Sequence, residues 1–153
     1  MAVFYLDTSA FIKRYAREQG TAWTIDLTDP VAEHDLYTVR MTGPEMIAAL
    51  FRKVRTQQLS LDEAQRAAAN FRTDWAQQVQ IIEVNAAVSE RAMALAERHG
   101  LRGYDAVHLA AALTLHDLRR ELELPPLTFV SADDAQSQAA EAEGLLVENP
   151  NRH

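Results

Sequence analysis

The chain has 153 residues, 48% of them hydrophobic and 24% charged, enough for one domain with a buried core and too apolar for a disordered chain. It has no cysteine, so disulfide scaffolds, thiol nucleophiles and thiolate zinc sites are excluded. The net charge of −7 disfavours simple electrostatic binding of nucleic acid, yet suits an acidic site that works through a cation.

Val3 to Leu6 reads as a short buried strand, and Thr8 to about Ala16 as a helix with Phe11, Ile12 and Tyr15 on its apolar side. Asp7, Lys13 and Arg14 interrupt this N-terminal apolar run, so it is no secretory leader. No segment has the length and apolarity to span a bilayer, which predicts a cytoplasmic protein with no membrane partner. A short helix follows over 21–27, ended by the Asp29-Pro30 turn signal. Asp35 to Val39 is rich in β-formers and predicts the second strand. Pro44 to Arg55 carries Ile47, Leu50, Phe51 and Val54 at helical spacing, and Leu61 to Gln78 repeats the pattern, making a helical hairpin.

Ile81 to Val84 predicts a third strand, and a helix over 87–99 stops at Gly100. The helix from Tyr104 to about Arg120 contains AVHLAAAL, whose small side chains let it lie close against a sheet. Beyond Pro125-Pro126, Leu127 to Val130 is a fourth strand, followed by a helix over 133–143 and a last strand over 145–147. Alternating strands and helices predict an α/β fold with a parallel sheet. One domain over 1–149 and a short tail at 150–153 account for the chain.

Four acids share a context: Asp7 after the first strand, Glu45 and Asp105 at helix starts, and Asp133 after the fourth strand. Taken singly, each is explained as a helix cap or first-turn acid, because helix N-termini are positive. Thr42 to Glu45 and Ser131 to Asp134 even have capping-box-like spacing. Taken together, they read differently. In a parallel sheet the carboxyl ends of the strands share one edge, where ligands bind. Converging carboxylates repel, and a cation relieves them. An oxygen-only set suits Mg2+ or Mn2+, ions that activate water against phosphate esters.

The segments YLDTSAFIKRY, PEMIAALFR, RGYDAVHLAAAL and LTFVSADDAQSQAAEAEGLLV, in this order, resemble PIN-domain ribonucleases, and among them the VapC-type toxins of toxin–antitoxin pairs. The resemblance spans nearly the whole chain. It implies a PIN-like three-layer sandwich with a central, mainly parallel sheet of four to five strands flanked by helices. It carries the catalytic acids onto Asp7, Glu45, Asp105 and Asp133, with the metal held mainly by Asp7 and Asp105. Ser9 and Ser131 match the supporting hydroxyls, and Asp134 is the neighbouring candidate for the last acid, or a helix cap. It further implies RNA hydrolysis, an antitoxin partner that blocks the acidic pocket, and a homodimer.

Lys13, Arg14, Arg17 and Arg40 lie near the inferred cleft in sequence and are the expected phosphate contacts. His108, three residues after Asp105, reads as a packed or hydrogen-bonded structural histidine. Trp23 and Trp75 read as core or interface residues, with base stacking as the alternative. A haloacid-dehalogenase-type phosphatase needs a second acid where Ser9 stands and a late lysine, whereas the last lysine here is Lys53. Receiver domains fail on the same lysine. A catalytically silent PIN-like module that binds RNA or protein is the remaining alternative.

Overall fold

A computed structural model describes residues 1–153. Its centre is a five-stranded parallel sheet made of β1 (Val3–Leu6), β2 (Asp35–Val39), β3 (Val79–Ile82), β4 (Thr128–Val130) and β5 (Leu146–Glu148). The spatial order is β3-β2-β1-β4-β5, and every pair is parallel. The helices are α1 (Thr8–Phe11), α2 (Thr21–Thr28), α3 (Thr42–Arg55), α4 (Leu61–Gln77), α5 (Ala86–His99), α6 (Gly103–Glu121) and α7 (Asp134–Ala142). The expected three-layer sandwich with a parallel sheet is therefore the observed architecture.

Alternation along β1 builds the layers. Val3 and Tyr5 point into a core shared with α5, α6 and α7, while Leu6 joins the opposite core with α1, α3 and α4. Successive strand residues face opposite sides, so a strand buried on both faces reads as continuously apolar. The alanines of α6 are why it reaches the sheet: Ala110, Ala111 and Ala112 are all fully buried.

Several boundaries differ from expectation. The first helix lasts only from Thr8 to Phe11 before tightening into a 3-10 turn at Ile12–Arg14. β3 starts two residues early, because its register pairs Leu36 with Val79 and Val39 with Ile82, leaving Val84 exposed. The capping box over 42–45 does not form. Thr42 is already helical and buried, and its hydroxyl pairs with that of Thr38 at 2.7 Å rather than with the helix end. Pro150–Arg152, expected as tail, forms a 3-10 turn with Pro150 buried against Gly20.

Candidate active site

β1 sits at the middle of the sheet, where the strand order runs outward in both directions, and a cleft opens at such a point. The cleft here has a volume of about 550 Å³ and is lined by Asp7, Glu45, Asp105 and Asp133 together. They arrive from four places: the end of β1, the first turn of α3, the first turn of α6, and the junction of β4 with α7.

Asp7 is the deepest, 3% exposed. Its Oδ1 accepts from the Ser9 hydroxyl at 2.6 Å and from the Ala10 amide at 3.0 Å, capping α1. Its Oδ2 accepts from the Ser131 hydroxyl at 2.5 Å. Ser9 and Ser131 are themselves anchored, accepting from the Ala132 amide at 2.9 Å and the Asp133 amide at 3.1 Å. Burial pushes the Asp7 carboxyl above its ordinary value, with His108 and the hydrogen bonds from Ser131, Ser9 and Ala10 acting against that rise. Both expected hydroxyls thus stand on Asp7.

Glu45 is held by a chain that begins in the core. The buried Tyr5 hydroxyl meets His108 Nδ1 at 2.9 Å, and His108 Nε2 meets Glu45 Oε1 at 2.8 Å. A carboxylate only accepts, so Nε2 carries the proton in this contact. The Thr8 hydroxyl donates to the same Oε1 at 3.1 Å, and Oε2 has no partner within the protein. His108 is indeed packed and hydrogen-bonded, and it also lines the cleft.

Asp105 and Asp133 share a cation. Arg102 donates from Nε to Asp105 Oδ2 at 3.2 Å and reaches Asp133 Oδ2 at 3.8 Å. Asp133 also caps α7, accepting from the Gln136 amide at 2.9 Å, while the Gln136 side chain donates to the Asp105 carbonyl at 2.8 Å. The expectation that Asp134 caps this helix is corrected. Asp134 is the first helical residue, and its carboxylate turns away to Asn149 and Arg152.

The expected phosphate contacts Lys13, Arg14, Arg17 and Arg40 do not line the cleft. Lys13 is buried and paired with Glu18 at 3.1 Å, and Arg14 pairs with Asp74 at 3.1 Å. Arg17 lies beside Trp23, and Arg40 pairs with Glu83. Proximity in sequence misleads here because the chain turns away from the cleft after Phe11. The cleft's arginines are Arg52 and Arg102. Arg102 had a legible signal, standing one helical turn before Asp105; Thr8 and Arg52 had none that singled them out.

No three of the chain's acidic and histidine side chains stand close enough to form a ready-made metal cage. Mg2+ does not need one: it keeps most of its waters and is held by one or two carboxylates together with substrate phosphate. An all-oxygen set with one buried carboxyl of raised pKa fits such an ion, and Mn2+ equally.

The PIN domain family model matches residues 4–142. Ribonuclease VapC45 of Mycobacterium tuberculosis (strain CDC 1551 / Oshkosh) is 36% identical over 117 residues, covering 76% of this chain and 79% of that protein. Two solved structures share the fold. VapBC2 from Rickettsia felis, bound to a DNA fragment from its promoter, matches at a TM-score of 0.61 and 13% identity, covering 96% of this chain and 98% of that one. VapC20 of Mycobacterium tuberculosis, a sarcin-ricin loop cleaving toxin, matches at 0.60 and 18%, covering 95% and 97%. With its sheet order, its cleft and these matches in agreement, the chain belongs to the PIN-domain family and is of the VapC type.

Proposed function

We propose that this chain is a divalent-metal-dependent endoribonuclease, the toxin of a toxin–antitoxin pair, acting in the cytoplasm as a homodimer. One observation carries the reading: Asp7, Glu45, Asp105 and Asp133, from distant parts of the chain, line a single cleft at the carboxyl edge of the sheet. Membership of the PIN-domain family and the ribonuclease relative support it. An antitoxin partner draws support from the VapBC2 structure.

Asp7 and Asp105 would hold the ion, and Glu45 and Asp133 would complete the acidic pocket. When bound, Mg2+ or Mn2+ supplies Lewis acidity toward a phosphodiester oxygen and makes a water easier to deprotonate. The protein's part is positional. Ser9, Ser131 and the Ala10 amide fix the Asp7 carboxylate before substrate arrives, so little reorganisation is needed. His108 and Thr8 hold Glu45 by Oε1, which leaves Oε2 to accept a proton from the attacking water. Arg102, 82% exposed while it bridges Asp105 and Asp133, would turn toward the phosphate once those two acids face an ion. An antitoxin would block the site by placing a cationic side chain among the same carboxylates.

Purified protein, incubated with structured and single-stranded RNA, should cleave with Mg2+ or Mn2+ and stop with chelator. Asp7→Asn should lower the rate by at least roughly a hundredfold, the scale of a lost electrostatic catalytic group. Cleavage surviving both the substitution and the chelator would overturn the metal mechanism. Failure to cleave any RNA, with RNA still bound, would favour a silent interaction module.

A further inference from the structure

Beside the acidic cleft lies a second groove, of about 540 Å³, between the start of α3 and the end of α4. Its floor is apolar: Gly43, Pro44 and Ile47 on one side, Phe71 and Trp75 on the other. Pro44 and Ala48 line both this groove and the cleft, so the two are separated only by small, exposed residues of α3. The groove is therefore continuous with the catalytic edge.

We propose that this groove is a base-binding subsite for the RNA strand leaving the cleft, with a nucleobase packed against Trp75 and the flanking phosphates met by Arg72 and Arg40. This rests on the ribonuclease reading above and extends it to how the substrate is selected.

Three observations favour an RNA strand over other occupants. The first is the aromatic platform. Trp75 is half-buried, braced by Phe71 with ring centroids 5.5 Å apart, and it passes so close to α3 that a Cβ on Gly43 would meet the indole at 3.4 Å. A braced indole is presented in one orientation, which lowers the entropic cost of stacking a base on it. The second is charge. The chain carries −7 overall, yet no acid lines this groove, and its two charged residues are both arginines. Arg40 stands 5.9 Å from the centre of the Trp75 ring while paired with the exposed Glu83 outside the lining, and Arg72 is exposed on the neighbouring turn of α4. Cations beside an aromatic face are the arrangement by which proteins hold single-stranded nucleic acid without reading its sequence strictly. The third is continuity. A polymer whose scissile phosphate lies among carboxylates is repelled by them, so its neighbouring nucleotides need a grip just outside, and this groove is where Pro44 and Ala48 let the strand pass.

Trp75 and Arg40 thereby regain the nucleic-acid role considered from sequence, at a place away from the acids. Trp23 does not share it: its ring is stacked on His153, centroids 4.4 Å apart.

The test uses full-length Asp7→Asn protein, in which cleavage is suppressed, and a short fluorescein-labelled single-stranded RNA. With Trp23→Phe added, Trp75 is the only tryptophan, and RNA should quench its emission in step with the anisotropy of the label. Trp75→Ala should weaken RNA binding by roughly tenfold, and Trp75→Phe by less, since a ring face survives. Arg72→Glu, at an exposed position that disturbs no packing, should weaken it comparably and guards against a folding defect in Trp75→Ala. With Asp7 intact, Trp75→Ala and Arg72→Glu should raise KM for RNA while kcat stays within a few-fold. Binding unchanged in both variants overturns the subsite while leaving the ribonuclease intact. No RNA binding by the Asp7→Asn parent, and no cleavage by the wild type, overturns both.

Discussion

Asp7 is ionisable, buried, and surrounded by donors that would rather face a charge than a neutral acid. Burial prevails, so its folded-state pKa stands above its unfolded one. The folded chain therefore holds this proton to higher pH than the unfolded chain does. Stability falls as pH rises from the unfolded value through the folded one, and the loss persists above it. Asn in this place carries no such penalty. In chelator, Asp7→Asn should melt at a higher temperature than the wild type at neutral pH, and the difference should shrink as pH falls from the raised folded value toward the unfolded value of about 4, and vanish below it. Adding Mg2+ should raise the melting temperature of the wild type and leave the variant nearly unmoved. A variant less stable than the wild type at neutral pH would mean that the Ser9 and Ser131 hydrogen bonds outweigh desolvation. The remaining acids are less constrained: Glu45, Asp105 and Asp133 keep some contact with solvent, as groups that must change partners require.

At the scale of elements, the same residue type does opposite jobs on two helices. Ala111 on α6 is fully buried in the core that α6 shares with the sheet and α5, while Ala69 on α4 faces solvent. Leucine at 111 would force side chains off their rotamers or push α6 from the sheet, at a cost of about 1–3 kcal/mol. Leucine at 69 should change stability by less than about 0.5 kcal/mol. Urea unfolding of the two variants checks this, and equal effects would contradict the close approach of α6. The approach has a functional consequence, since α6 carries Asp105 and His108 on its first two turns. A displaced α6 should thus lose activity together with stability. Helix starts deliver the other acids as well, which is why capping and the proposed catalytic role coincide at Asp7 and Asp133.

For the whole molecule, a charge of −7 and an acidic cleft limit how strongly RNA can be held through its phosphates. The proposed contacts are Arg40, Arg72 and Arg102. Neutralising three phosphates on a single strand gives a slope of log affinity against log salt of about −2. Titrating the labelled RNA into Asp7→Asn protein over a range of KCl concentrations measures it. A much steeper slope would require a basic surface elsewhere, such as one made by pairing two copies of the chain.

The sequence by itself determined the layered α/β architecture and four acids at strand-to-helix junctions, because strand and helix periodicities are local and junctions fall between them. The packed His108 was legible from its place three residues after Asp105, whereas Ser9 and Ser131 were singled out by the resemblance to the PIN-domain family. Thr42 escaped local rules because its burial beneath β2 depends on the sheet, and Asp134 because its partners Asn149 and Arg152 are on the last turn of the chain. Only the tertiary structure decided which cations face the carboxylates. Lys13 and Arg14, six and seven residues after Asp7, are consumed by Glu18 and Asp74, whereas Arg52 and Arg102 reach the cleft from α3 and the start of α6. Coulombic partnership depends on distance in space, and in a parallel sheet the crossover helices set those distances without regard to separation along the chain.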